Sequence, residues 1–162
     1  MQLDDRSLTM QIWDTAGNYR NNLLGTAFCR DVNCCALVFD ILDKASFREL
    51  NYWHSEIISQ TSSKIPIVLL GNKVDIENVR VVQTKEVEEW CANHGNIPYF
   101  QVSAKSNVEV GMAFSTIARE ALAHAANVKD GDFSNVIANV RFSNGTGHRQ
   151  SKLRKHRCAC CL

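Results

Sequence analysis

At 162 residues, with 45% hydrophobic and 22% charged residues, the chain has the length and composition of one soluble globular domain with room for a core. Its net charge of +1 excludes a whole-molecule field of the kind that holds nucleic acid, so no nucleic-acid partner is expected. It shows no signal-peptide pattern and no apolar run of membrane-spanning length.

Leu8, Met10 and Ile12 alternate with polar residues and predict a strand that ends in Trp13-Asp14-Thr15-Ala16-Gly17. The stretch from Asn18 to Asp31 has weak periodicity and reads as an irregular loop with a short helix. Cys34 to Phe39 is an apolar run, expected to be a buried strand. Phe47, Leu50, Trp53 and Ile57 recur at helical spacing, which predicts a helix from Ser46 to about Gln60 with Ser46 as its N-cap. Ile65 to Leu70 is a third strand. Thr84 is a candidate cap for a helix whose stripe is Val87, Trp90 and Cys91, with Glu86 in its first turn and Gly95 at its C′ position. Tyr99 to Val102 is a fourth strand. Val110, Ala113, Phe114, Ile117, Ala118, Ala121 and Leu122 mark the clearest amphipathic helix. Strands alternating with helices predict an α/β fold with a doubly wound, mostly parallel sheet.

The periodicity fades near Asn127, so residues 1–127 are expected to form the domain and 128–162 a flexible tail. No acidic residue follows Asp132, while Arg141, Arg149, Lys152, Arg154, Lys155 and Arg157 make the tail basic. Cys29, Cys34, Cys35 and Cys91 sit among apolar residues and read as buried free thiols of a reducing compartment. Asn144-Gly145-Thr146 matches a glycosylation sequon, read as a chance match.

Three motifs fall at the carboxyl ends of predicted strands, where open α/β sheets bind ligands. Asn72-Lys73-Val74-Asp75 follows the third strand and Gly71. An ionised aspartate has acceptor oxygens and no donor. It therefore matches the ring N–H and exocyclic amine of guanine, a donor pair that adenine does not offer. Ser103-Ala104-Lys105 follows the fourth strand, and its backbone N–H groups are placed to meet a base carbonyl. Asp14 is suited to hold Mg²⁺ directly or through water, and Gly17 lets a backbone N–H approach a phosphate. Each motif alone also fits an ordinary strand-to-turn connection; their order along one rim is what carries weight.

With these motifs in that order, the chain resembles the Ras-superfamily small GTPases, and within them the Rab family, from about Leu3 to Leu122. Trp13-Asp14-Thr15-Ala16-Gly17 and Leu37-Val38-Phe39-Asp40 look like its third motif and following strand; Gly71-Asn72-Lys73-Val74-Asp75 and Ser103-Ala104-Lys105 look like its guanine loops. Thr9-Met10-Gln11-Ile12-Trp13, Trp90-Cys91 and Ile97-Pro98-Tyr99-Phe100 look most like the late-endosomal branch. The resemblance implies a P-loop NTPase-like fold, GTP or GDP with Mg²⁺ as ligands, and a nucleotide-dependent switch in vesicle traffic. Asp75 would pair with guanine, Asn72 would brace the base and the neighbouring loop, and the Lys73 stem would lie along the ring. Ala104 would donate to the guanine carbonyl. Asp14 would hold Mg²⁺ through water, and Gly17 would sense the γ-phosphate. Implied partners are effectors, exchange factors, GTPase-activating proteins and the prenylation machinery. The implied setting is the cytosolic face of intracellular membranes, late endosomes above all, with a cytosolic pool of monomer.

Two departures qualify this. The 162 residues contain no Gly-x-x-x-x-Gly-Lys-Ser/Thr loop, so the chain is expected to begin inside the family fold near its second strand. Unpaired strand edges and weak phosphate binding are expected consequences, and a tight nucleotide complex is not expected. Asn18 stands where the family pattern places a water-orienting glutamine, on a stem one methylene shorter, which predicts slow hydrolysis. A membrane-anchored interaction module without catalysis, or a fragment of a complete Rab, remain the alternative readings.

The chain ends Cys158-Ala159-Cys160-Cys161-Leu162. A CaaX box would need cysteine at position 159, so that motif is not met. Cys160 and Cys161 instead resemble the doubly geranylgeranylated cysteines of Rab tails; two lipids supply the stable anchoring that one does not. The basic run would add attraction to anionic lipids. A zinc tail using His156 with the cysteines is the lesser alternative.

Overall fold

Two apolar hexapeptides form the centre of the fold. In this computed structural model, which describes residues 1–3, 6–15, 32–61, 65–128, 138–141 and 160–161, Cys35–Asp40 is β4 and Ile67–Asn72 is β5. They run parallel and pair along their whole length, from Cys35 with Ile67 to Asp40 with Asn72. Cys35, Ala36, Leu37, Val68 and Leu69 are each at most 1% exposed. A strand covered on both faces needs a continuous apolar run, which is what the sequence supplies.

Before them come β1 (Gln2–Leu3) and β2 (Arg6–Ser7), a small antiparallel pair, and β3 (Met10–Thr15). Helix α1 (Lys44–Gln60) follows β4, and a 3₁₀ helix (Val74–Val79) follows β5. Helix α2 (Thr84–Asn93), β6 (Tyr99–Gln101) and α3 (Val110–Val128) complete the alternation. Strand β6 adds parallel to β5, with Leu69 opposite Tyr99 and Gly71 opposite Gln101. Among the described residues the larger sheet pairs in parallel throughout, as the alternation of strands and helices predicts.

The helices bury the stripes that their periodicity marks. Phe47, Leu50, Trp53 and Ile57 of α1, Val87, Trp90 and Cys91 of α2, and Ala113, Ile117 and Ala121 of α3 enter one core with β4 and β5. Leu3, Leu8 and Ala118 form a second, smaller cluster, against which Met10 and Leu122 pack. Cys34, Cys35 and Cys91 are buried free thiols; burial pushes the Cys91 thiol up to about 11, so it stays protonated and unreactive. Cys29 lies outside the described residues.

Two details differ from the sequence reading. Helix α1 starts two residues earlier, because Asp43 and not Ser46 caps it. The Asp43 carboxylate accepts the Ala45 N–H at 2.8 Å, while Ser46 Oγ accepts the Asp40 N–H at 3.0 Å. Thr84 is likewise the first residue of α2 and not its cap; Gln83 occupies that position without a side-chain bond. Gly95 does take the left-handed conformation after the helix, at φ 93°.

Two short segments of the stretch after Val128 are described, both as strands. Ala138–Arg141 is β7, parallel to β3, and Cys160–Cys161 is β8, between β3 and β4. The order across the sheet is β6-β5-β4-β8-β3-β7, so β3 and β4 are not direct neighbours. Strand edges carry rows of N–H and C=O groups that need partners when buried. The tail backbone supplies some of them.

Candidate functional site

The loops after β5 and β6 are tied together before any ligand is considered. The Val102 N–H donates to the Gly71 carbonyl at 2.8 Å, and the Val74 N–H donates to the Val102 carbonyl at 3.2 Å. Side chains continue the link. Ser103 Oγ donates to Asp75 Oδ1 at 2.6 Å and accepts the Ser106 N–H at 3.1 Å. Asn72 Oδ1 accepts the Ala104 N–H at 3.0 Å. Ser103 is wholly buried, the one buried polar residue among those described, and these bonds together with its backbone pairing to Val108 satisfy it.

Glycine at position 71 is required by close packing. A Cβ there would lie 2.8 Å from the Tyr99 hydroxyl and 3.0 Å from Phe39 Cζ. Phe39 and Tyr99 stack with ring centroids 6.3 Å apart, so the floor under the loop is aromatic. Lys73, the residue that turns the chain out of β5, is left-handed at φ 77°. Its ammonium lies 2.6 Å from Asp40 Oδ2 at the end of β4. Asp40 Oδ1 is in turn held by the Leu42 N–H at 2.9 Å.

The electrostatics favour an acceptor at Asp75. The hydrogen bond from Ser103 holds its carboxyl below the usual range, and Lys105, 3.9 Å away, and Lys73 act in the same direction. An ionised Asp75 offers only acceptor oxygens. The hydrogen bond to Asp40, followed by its charge, raises Lys73 in the opposite sense, so both groups stay charged near neutrality.

Asn72, Lys73, Asp75, Ser103, Ala104 and Lys105 thus come together on one rim. Asp14 does not join them. The register sets Thr15 level with Cys161, Cys161 with Leu37, and Leu37 with Leu69. The end of β3 therefore falls three residues short of the level of Asp40 and Asn72, roughly 10 Å along the strands. Gly17 and Asn18 lie outside the described residues. No group of three or more His, Cys, Asp or Glu that could hold a metal ion occurs among the described residues. The Ala104 N–H, assigned by resemblance to a guanine carbonyl, is engaged by Asn72 here.

Asp40 was not singled out from the sequence, although it too ends an apolar strand on the same rim. That position is the signal by which it could have been found.

Comparison with known proteins meets this geometry. The family model described as Ras family matches residues 1–123. The chain belongs to the Ras family. Within that family it is similar to the Ras-related protein Rab7 of Vigna aconitifolia, 48% identical over 130 residues, which cover 76% of this chain and 63% of the relative. It is 47% identical over 126 residues to Rab-7a of Dictyostelium discoideum, covering 75% of this chain and 62% of the relative. It is 47% identical over 138 residues to RABG3b of Arabidopsis thaliana, covering 82% and 66%. The chain therefore spans about 63% of the length of the first of these curated relatives.

Proposed function

We propose that this chain carries the guanine-reading part of a Rab-type switch in endosomal vesicle traffic. The observation that carries the reading is the coupling of Asn72 to Ala104 and of Asp75 to Ser103 across the two loops. An ionised Asp75 held at a fixed height selects a base with two adjacent donors, which is guanine. Asn72 braces the partner loop, and the Lys73 stem, anchored at its end by Asp40, would lie along the base ring. On binding, the Ala104 N–H is shared between Asn72 and the guanine carbonyl. GTP or GDP with Mg²⁺ is the ligand set that membership in this family supports; bound Mg²⁺ supplies charge neutralisation at the phosphates.

The remaining assignments rest on the likeness to Rab7-type proteins. Asp14 and Gly17 would face Mg²⁺ and the γ-phosphate, and Asn18 would position water poorly. Effectors, exchange factors and GTPase-activating proteins would read and set the nucleotide state of a monomer on the cytosolic face of late endosomes, with a cytosolic pool. Cys160 and Cys161 would receive prenyl groups. The backbone of both pairs with β3 in this structure, so lipid attachment requires the tail to leave the sheet.

The amide signals of Ala104 and Ser106 test the base site even where affinity is low. With GDP at millimolar concentration both signals are expected to shift, and with ADP neither is. Equal response to both nucleotides, or no response to GDP, overturns the reading. Mass spectrometry of the tail from eukaryotic cells tests Cys160 and Cys161.

A further inference from the structure

At the end of the sheet remote from the guanine loops, α1 and α2 bring two histidines together. Asn51 and His54 lie one turn apart on α1; Trp90 and His94 lie one turn apart on α2 and its cap. The Trp90 indole N–H donates to Asn51 Oδ1 at 2.9 Å, which locks the two helices at this level. The His94 ring stacks on Trp90 with centroids 4.0 Å apart. The His54 ring stands nearly perpendicular to that of His94, at 80°, with centroids 4.7 Å apart. Both histidines line a cavity of about 790 Å³, together with Asn93, Asn96, Glu120 of α3 and a mostly apolar wall that includes Ile57 and Ile97.

We propose that His54 and His94 form a two-imidazole site for a borderline divalent transition metal of the zinc, nickel and copper class, completed by water, which clamps α1 to α2. Two observations carry this. The first is tautomer. His94 Nδ1 lies 2.7 Å from the Trp90 carbonyl oxygen. A carbonyl only accepts, so Nδ1 carries the hydrogen and Nε2 is the ring nitrogen left to meet a metal. Histidine ligands to metals are held in this way, by a carbonyl that takes the other ring N–H.

The second is spacing. Two imidazoles bound to one metal at about 2.0–2.1 Å place their ring centres roughly 4.5–5.2 Å apart for bond angles between square and tetrahedral. The observed separation of 4.7 Å falls inside that range. Imidazole donors suit zinc, nickel and copper and disfavour magnesium and calcium.

Titrating the reduced full chain with Zn²⁺, followed by NMR of the histidine ring and Trp90 indole protons, tests the site. The His54, His94 and Trp90 signals are expected to move together with one dissociation constant. His54→Gln and His94→Gln each remove a direct ligand and are expected to weaken that response by roughly 10-fold or more, since loss of an outer-shell partner alone costs about 10–100-fold. Far-ultraviolet circular dichroism checks that each variant is folded. Should His94→Gln unfold, His54→Gln decides, because the His54 ring meets Trp90 edge-on, with centroids 5.8 Å apart, and its loss leaves the Trp90–His94 stack in place. Separate titration of the two rings, an unchanged constant in His54→Gln, or zinc binding that leaves these signals in place and falls on the tail cysteines overturns the proposal.

Discussion

The Ser103 hydroxyl and the Asp75 carboxylate, 28 residues apart, share a hydrogen bond of 2.6 Å that joins the two loops of the candidate base site. Ser103 is fully buried and also accepts the Ser106 N–H. Ser103→Ala therefore leaves a backbone donor without its partner and removes the chief influence lowering Asp75. The expected cost is about 1–3 kcal/mol in urea unfolding. The pH dependence follows from the depressed carboxyl. Its contribution is present above the unfolded value of about 3.9 and is lost as pH falls through the lower folded value. In Ser103→Ala this acid-side loss is expected to shrink, and NMR titration of Asp75 should show its pKa rising toward the unfolded value.

Gly71 and Tyr99 make a second pair whose contact is testable. A methyl at position 71 meets the Tyr99 hydroxyl at 2.8 Å, and β5 is packed on both faces. Gly71→Ala is expected to cost about 1–3 kcal/mol, the range for overpacking a filled core. Burial pushes the Tyr99 hydroxyl pKa up, with the Arg80 guanidinium acting against it; yet the hydroxyl has no hydrogen-bond partner of good geometry. Tyr99→Phe is thus expected to be close to neutral. In the double variant the cost of Gly71→Ala should fall, since the atom nearest the new methyl is gone. A thermal-denaturation cycle of the four proteins measures this coupling.

Much of the fold could be read from periodicity because the helices are strongly amphipathic and the two central strands are apolar on both faces. Ile57, Val87 and Ile117 sit in the core at the positions their spacing marks. The site loops could be read because their residues cluster at strand ends. What escaped the sequence depended on contacts between distant segments. Asp40 pairs with Lys73, 33 positions away, and no local pattern announces an ion pair. Ala138–Arg141 and Cys160–Cys161 become strands by pairing with β3, and a polar tail carries no sign of which edge will accept it. The cap of α1 was missed for a local reason. Asp43 and Ser46 are both good capping residues three positions apart, and only the bond to Ala45 separates them.

That bond gives a third prediction. Asp43→Ala removes the carboxylate that accepts the Ala45 N–H and is expected to destabilise the protein by about 0.5–2 kcal/mol. Asp43→Asn and Asp43→Ser retain an acceptor and should recover most of that loss. Chemical denaturation of the three variants checks the order. Equal losses in all three would show that the cap bond contributes little.

Lys73 sets strain against charge. Its φ of 77° puts a side chain in the left-handed region, where an L-residue costs roughly 1–2 kcal/mol relative to right-handed backbone. Its ion pair with Asp40 is half-exposed, and pairs of that kind contribute at most about 1 kcal/mol. Strain is the larger effect, so Lys73→Gly is expected to leave stability unchanged or slightly raised, although it breaks the pair. Asp40→Asn, which breaks the pair and keeps the strain, is expected to lower stability modestly, with a deficit that narrows in high salt. The alkaline side separates the two contributions. A raised Lys73 stabilises fully below the unfolded value of about 10.4, and that share is lost as pH rises through the higher folded value. Wild-type protein should show this loss and both variants should lack it. A Lys73→Gly protein less stable than Asp40→Asn would mean that relief of the left-handed strain does not outweigh the unfolded-state freedom that glycine adds.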